Sequence, residues 1–81
     1  MRTSVLLFAS FRELKKTDCL EIDLPEGSVA GDVFDYVCKT VDEAKNWRRA
    51  IKVAVNDCYV SHETPLHEGD RLALIPPVEG G

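Results

Sequence analysis

The residue best placed to do chemistry is the last one. The sequence closes on Pro76-Pro77-Val78-Glu79-Gly80-Gly81. The two prolines lack ladder donors and favour an extended backbone, and the two glycines carry no side chain. Fully extended, six residues reach on the order of 20 Å at about 3.3 Å each. The result is a narrow probe whose leading group is the Gly81 carboxylate. Immobilised glycine loses much backbone entropy, so such a tail becomes ordered inside a partner.

The other chemistry-bearing residues are scattered. His62 and His67 lie five apart beside Glu63 and Glu68, a spacing that matches neither a zinc helix nor a triad, so no metal site is expected. Cys19, Cys38 and Cys58 are too far apart for a CxxC pair and cannot all pair; three free thiols suit a reducing cytosol. Gly27 and Gly31 flank Ser28 without the lysine of a phosphate loop. Lys45, Arg48 and Arg49 make a small positive patch, solvated or docked on an acidic partner.

The elements that must carry the tail follow from periodicity. TSVLLFASF at 3–11 reads as a strand apolar on both sides, with Val5, Leu7 and Ala9 on one face and Leu6 and Phe8 on the other. FRELKKTD at 11–18 reads as a helical turn and a connection. CLEIDL at 19–24 alternates, with Leu20, Ile22 and Leu24 inward, and Pro25-Glu26-Gly27 turns the chain. The spacing Val29, Val33, Val37, Val41 predicts one main helix with Ser28 as its N-cap and Asp32 near its positive end. DEAKNWRRA at 42–50 either continues as a second short helix or crosses irregularly, anchored by Ala44, Trp47 and Ala50. IKVAVN at 51–56, CYV at 58–60 and RLALIP at 71–76 are strands, separated by an Asn56-Asp57 turn and a loop ending in Gly69-Asp70. The order ββ-α-βββ implies an α+β fold, a ubiquitin-like β-grasp roll with a mixed sheet on one main helix. Residues 1–75 form the domain and residues 76–81 its extended tail.

Size and charge narrow the function. Eighty-one residues make one domain, which buries roughly 60–65 % of its extended-chain surface and encloses no cofactor chamber. Ten Lys and Arg against fourteen Asp and Glu give a net charge of −4 without a basic tract, which excludes nucleic acid and anionic lipid as main partners. The longest uncharged runs are far shorter than a membrane span, and the first apolar run reaches Arg12 and Glu13 without a cleavage site for a secretory leader. A cytoplasmic protein is expected.

LFASFRE at 7–13, AVN at 54–56 and LHEGDRLALIPPVEGG at 66–81 together resemble the small, sulfur-carrying subunits of molybdopterin synthase. The resemblance spans essentially the whole chain, and PPVxGG is its most specific motif. Glu79 departs from it, where a small hydroxyl residue is common. Carriers for thiamine or tRNA thiolation, and protein modifiers joined through the terminal glycine, share the fold and the diglycine but match the PPV and FAxxRE segments less well. The resemblance implies that an activating enzyme uses ATP to adenylate Gly81, that sulfur replaces AMP to give a thiocarboxylate, and that this end enters a large catalytic subunit. There it would donate sulfur to cyclic pyranopterin monophosphate. The complex would be a heterotetramer with two large subunits at its centre. The chain would hold no cofactor, and no maturation cut after Gly81 is expected. Gly80, Glu79, Val78, Pro77 and Pro76 would fill the partner's channel, and the apolar residues Phe8, Phe11, Leu74 and Ile75 are the expected interface beside it.

Overall fold

The computed structural model describes residues 1–7 and 18–76. Among them, five strands form one sheet: β1 (Arg2–Leu7), β2 (Cys19–Asp23), β3 (Lys52–Val55), β4 (Cys58–Val60) and β5 (Arg71–Ile75). The spatial order is β2-β1-β5-β3-β4. β1 and β5 run parallel, and every other neighbouring pair is antiparallel. This is the mixed sheet of the expected β-grasp roll. Phe8 and Ala9, and the expected helical turn and connection at 11–18 apart from Asp18, lie outside the described residues.

Period-2 alternation decides which side of each strand is buried. Val5, Leu7, Val53, Leu72 and Leu74 point inward and are essentially inaccessible. Register stacks them: Val5 pairs with Leu72, and Leu74 lies between Leu7 and Val53. Phe34, the largest fully buried side chain, covers this layer together with Ala30, Val33, Val37 and Ala44. Leu20 and Ile22 pack at its margin and Leu24 lies within it, as their alternation predicts.

The covering layer is not the single helix that the valine spacing predicts. A 3-10 turn, Ala30–Val33, passes into one helical turn, α1 (Phe34–Val37). The backbone then becomes extended at Cys38, and α2 (Val41–Ala50) starts afresh. Thr40 caps α2, its Oγ1 accepting the Glu43 N–H at 3.0 Å. Val33 and Val37 do face the core, but Val41 is 71 % exposed. The β-branched valines give weak helical propensity, and a good cap at Thr40, three residues after Val37, outcompetes continuation. Ser28 does not cap the first segment. Its hydroxyl donates to the Pro25 carbonyl at 2.7 Å, while Asp32 Oδ2 accepts the Val29 N–H at 2.8 Å.

The segment 61–70 is also more integrated than a solvated loop. Ala30 and Gly31 donate to the carbonyls of Thr64 and His62, and Leu66 donates to Ser28. Leu66 thereby enters the core. Gly31 permits this closeness: a Cβ there would lie 3.0 Å from His62 Cβ and 3.2 Å from its carbonyl oxygen.

Candidate functional site

β5 carries the tail, and its position explains how firmly the tail is rooted. It is paired on both sides as far as Leu74, with β1 and with β3, and at Ile75 with Lys52 of β3. Pro76 follows, half-buried. Pro77, Val78, Glu79, Gly80 and Gly81 lie outside the described residues, as do Phe8 and Phe11.

The outer face of the sheet, opposite the helices, presents a row set by register. Leu6 pairs with Ala73, Ala73 with Ala54, and Ala54 with Tyr59. Two methyl side chains in the middle make a floor; Leu6 and Tyr59, 43 % and 66 % exposed, make walls. The groove has a volume of about 290 Å³. Ile75, two residues beyond Ala73 on the same face, extends it toward the root of the tail. At the opposite end Arg71 and Asp57 form an exposed ion pair of 3.5 Å.

A polar cluster fixes the start of β5. Asn56 and Asp57 occupy left-handed backbone conformations, φ 50° and 73°, in the two-residue turn between β3 and β4. Asn56 Oδ1 accepts the Arg71 N–H at 3.1 Å, and its Nδ2 donates to Asp70 Oδ1 at 3.1 Å. The buried Asp70 carboxylate also accepts the His67 N–H at 2.7 Å. One short turn and one aspartate thus hold the wall residue Tyr59 in line with β5.

Leu74 corrects the expected interface. Its side chain is fully buried between Leu7 and Val53, because alternation that puts Ala73 and Ile75 outside puts Leu74 inside. Ile75 is half-buried on the outer face. The surface that sequence reasoning missed is Tyr59 with the Ala54–Ala73 floor. Alternation places Leu6 on the face opposite Val5 and Leu7, but only the strand order shows that face to be the outer one and brings Leu6 to Tyr59.

The remaining candidates are dispersed. His62 Nε2 lies 3.0 Å from the Ile51 carbonyl oxygen and its ring packs edge-on against Phe34. His67 is exposed. Cys19 and Cys58 lie on opposite edge strands, and Cys38 sits at the helical break. Among the described residues no three His, Cys, Asp or Glu side chains are grouped to hold a metal. Arg48 is internally engaged: Nη2 donates to the Gly31 carbonyl at 2.7 Å and lies 3.8 Å and 3.9 Å from Asp32 and Asp35. Among the described residues the site is therefore a surface beside Ile75, the last residue of β5. Among the described residues, no helix is long and apolar enough to cross a membrane.

Comparison with known proteins agrees with this arrangement. The ThiS family model matches residues 5–81. The molybdopterin synthase sulfur carrier subunit of Drosophila ananassae is 39 % identical over 80 residues, covering 95 % of this chain and 88 % of that protein. Its counterpart in Escherichia coli K12 is 35 % identical over 82 residues, covering 95 % and 96 %. Among solved structures, a putative molybdopterin converting factor subunit 1 from Pyrococcus furiosus superposes with a TM-score of 0.75 at 29 % identity, covering 96 % and 99 %. A chain in the complex of subunits 1 and 2 of molybdopterin-converting factor from Helicobacter pylori superposes with a TM-score of 0.64 at 26 % identity, covering both chains fully.

Proposed function

The chain belongs to the ThiS family, and on that premise we propose that it is the sulfur carrier subunit of a molybdopterin synthase. The observation that carries this reading is the near-full-length identity to sulfur carrier subunits, 39 % over 80 residues in one of them. The family match also runs through Gly81.

A carboxylate is a poor acyl donor until one oxygen becomes a good leaving group. An ATP-dependent activating enzyme therefore transfers AMP to the Gly81 carboxylate and releases pyrophosphate. A persulfide on a sulfurtransferase displaces AMP to give an acyl disulfide. A second thiol then cleaves its S–S bond, ending as a disulfide with the sulfurtransferase cysteine and releasing the Gly81 thiocarboxylate. Inside the large subunit, that sulfur bonds to a side-chain carbon of cyclic pyranopterin monophosphate as the oxygen substituent on that carbon departs, leaving a thioester to Gly81. Water then releases the acyl group, and Gly81 returns as a carboxylate. Two such transfers supply the two sulfurs of the dithiolene.

The chain itself contributes the reacting atom and its delivery. Pro76 and Pro77 stiffen the exit, Val78 and Glu79 span the channel, and Gly80 and Gly81 pass its narrowest part. The groove of Leu6, Ala54, Tyr59, Ala73 and Ile75 docks on the large subunit, in a heterotetramer with a central pair of large subunits. Phe8 and Phe11, outside the described residues, are further apolar candidates for that contact in the sequence. The cytoplasm, where thiols stay reduced, is the compartment in which this chemistry runs.

Purified protein incubated with the activating enzyme, ATP and a sulfur donor should gain the mass difference between one sulfur and one oxygen. The product, mixed with the large subunit and cyclic pyranopterin monophosphate, should yield molybdopterin. An unchanged mass defeats the carrier reading. A gained mass without molybdopterin assigns the carrier to another thiolation pathway.

A further inference from the structure

Lys52 stands directly opposite Ile75 in the β3–β5 register, at the last paired position before the tail leaves the sheet. Val53 is buried, so Lys52 shares the outer face with Ala54 and the groove. Its ammonium lies 5.8 Å from the centre of the Tyr59 ring, within reach of the ring's negative face. The cation at the opposite end of the groove, Arg71, is neutralised by Asp57. Arg2 and Arg48, elsewhere on the surface, are also paired with carboxylates. Among the described residues, no carboxylate forms an ion pair with Lys52. A net-negative chain thus holds, against an aromatic wall beside the last residue of β5, a positive charge that no described carboxylate compensates.

We infer that Lys52 is a specificity-determining contact, pairing with an acidic side chain on the large subunit beside the mouth of the tail channel. This rests on the proposed function. The apolar groove supplies area, but burial of apolar surface is non-directional and leaves the docking angle loosely set. A charge contact supplies orientation and excludes wrong partners. Placed opposite Ile75, it acts where a small rotation of the domain most alters the heading of the tail. Tyr59 holds the ammonium in position before docking, which lowers the ordering cost on association. A partner without an acid at that point would desolvate the ammonium and gain nothing in return, so the same residue disfavours it.

The test is association of the carrier with the large synthase subunit of the same organism, measured by calorimetry at low and high salt. Wild type is compared with Lys52→Gln, Lys52→Glu and Ile75→Asp, each checked for an unchanged thermal transition. Lys52→Glu should weaken binding on the order of 30-fold, and Lys52→Gln less, with a flatter salt dependence than wild type. Wild-type affinity in Lys52→Glu alongside lost binding in Ile75→Asp overturns the role of Lys52 and leaves the docking face standing. Equal loss in both Lys52 variants with unaltered salt dependence also overturns it, because packing on Tyr59 would then explain the effect. Insensitivity to all three substitutions overturns the docking face on which the inference rests.

Discussion

Leu6 and Tyr59 stand in one cross-strand row, separated by Ala73 and Ala54. Three strand spacings of roughly 4.8 Å put their backbones about 14 Å apart. Nothing longer than a methyl group rises between them. The width of the groove is therefore a direct product of strand order and of alanine at two paired positions. Larger side chains at either would fill it.

Ala73→Glu tests that floor. The side chain points away from the core, so the thermal transition should stay close to that of wild type. Binding to the large subunit should weaken by about 2 kcal/mol or more, the loss typical of a central interface position, which corresponds to roughly 30-fold in affinity. Calorimetric titration checks this, and unaltered affinity would show that docking uses another face.

Deletion of Gly81 separates the reacting group from its support. Among the described residues, β5 ends at Ile75 and the buried cluster ends at Leu74. The circular dichroism melt should be unchanged, while the mass gain with activating enzyme and sulfur donor disappears. A truncated chain that still turned precursor into molybdopterin would remove the terminal carboxylate from the mechanism.

Asp70→Ala strips the acceptor from both the His67 N–H and the Asn56 amide. Leaving buried groups unsatisfied costs about 1–3 kcal/mol. In a domain of this size each kcal/mol lowers the melting temperature by roughly 4–8 °C. Asp70→Asn keeps one acceptor oxygen and should recover part of the loss. Thermal denaturation of the two variants should rank them in that order, and equal stability to wild type would show the cluster to be ornamental.

Gly31→Ala probes the contact between the 3-10 turn and the 61–70 segment. The new methyl would press on both Cβ and the carbonyl oxygen of His62, and backbone on each side has little room to yield. Overpacking of this kind costs about 1–3 kcal/mol. Urea denaturation should show a lower midpoint with an unchanged slope.

The strands were legible because each has one face in the core, so their alternation is written in residue types. A second helix is one of the two readings the sequence leaves open for 42–50, but its start is not fixed by the valines, whose four-residue spacing runs on to Val41 by coincidence. The contrary signal was in the sequence: Thr40 followed three residues later by Glu43 is a helix start, and Thr40 does cap. Leu74 was assigned outward because the terminal strand is apolar on both sides, and only the strand order shows which side the helices cover. The Asn56–Asp70 bond joins two turns fourteen residues apart. Each turn is recognisable alone, but no local pattern says that they touch.

The parallel pairing of β1 with β5 has a mechanical side. Tension applied between the start of β1 and the end of β5 runs along both strands in opposite senses. It loads their mutual hydrogen bonds together, in shear, instead of peeling them one at a time. A receiving enzyme that grips the chain end and draws on it therefore pulls against the strongest direction of the sheet. Force spectroscopy along this axis should show a higher rupture force than pulling through the edge strand β4, whose bonds to β3 would open like a zip.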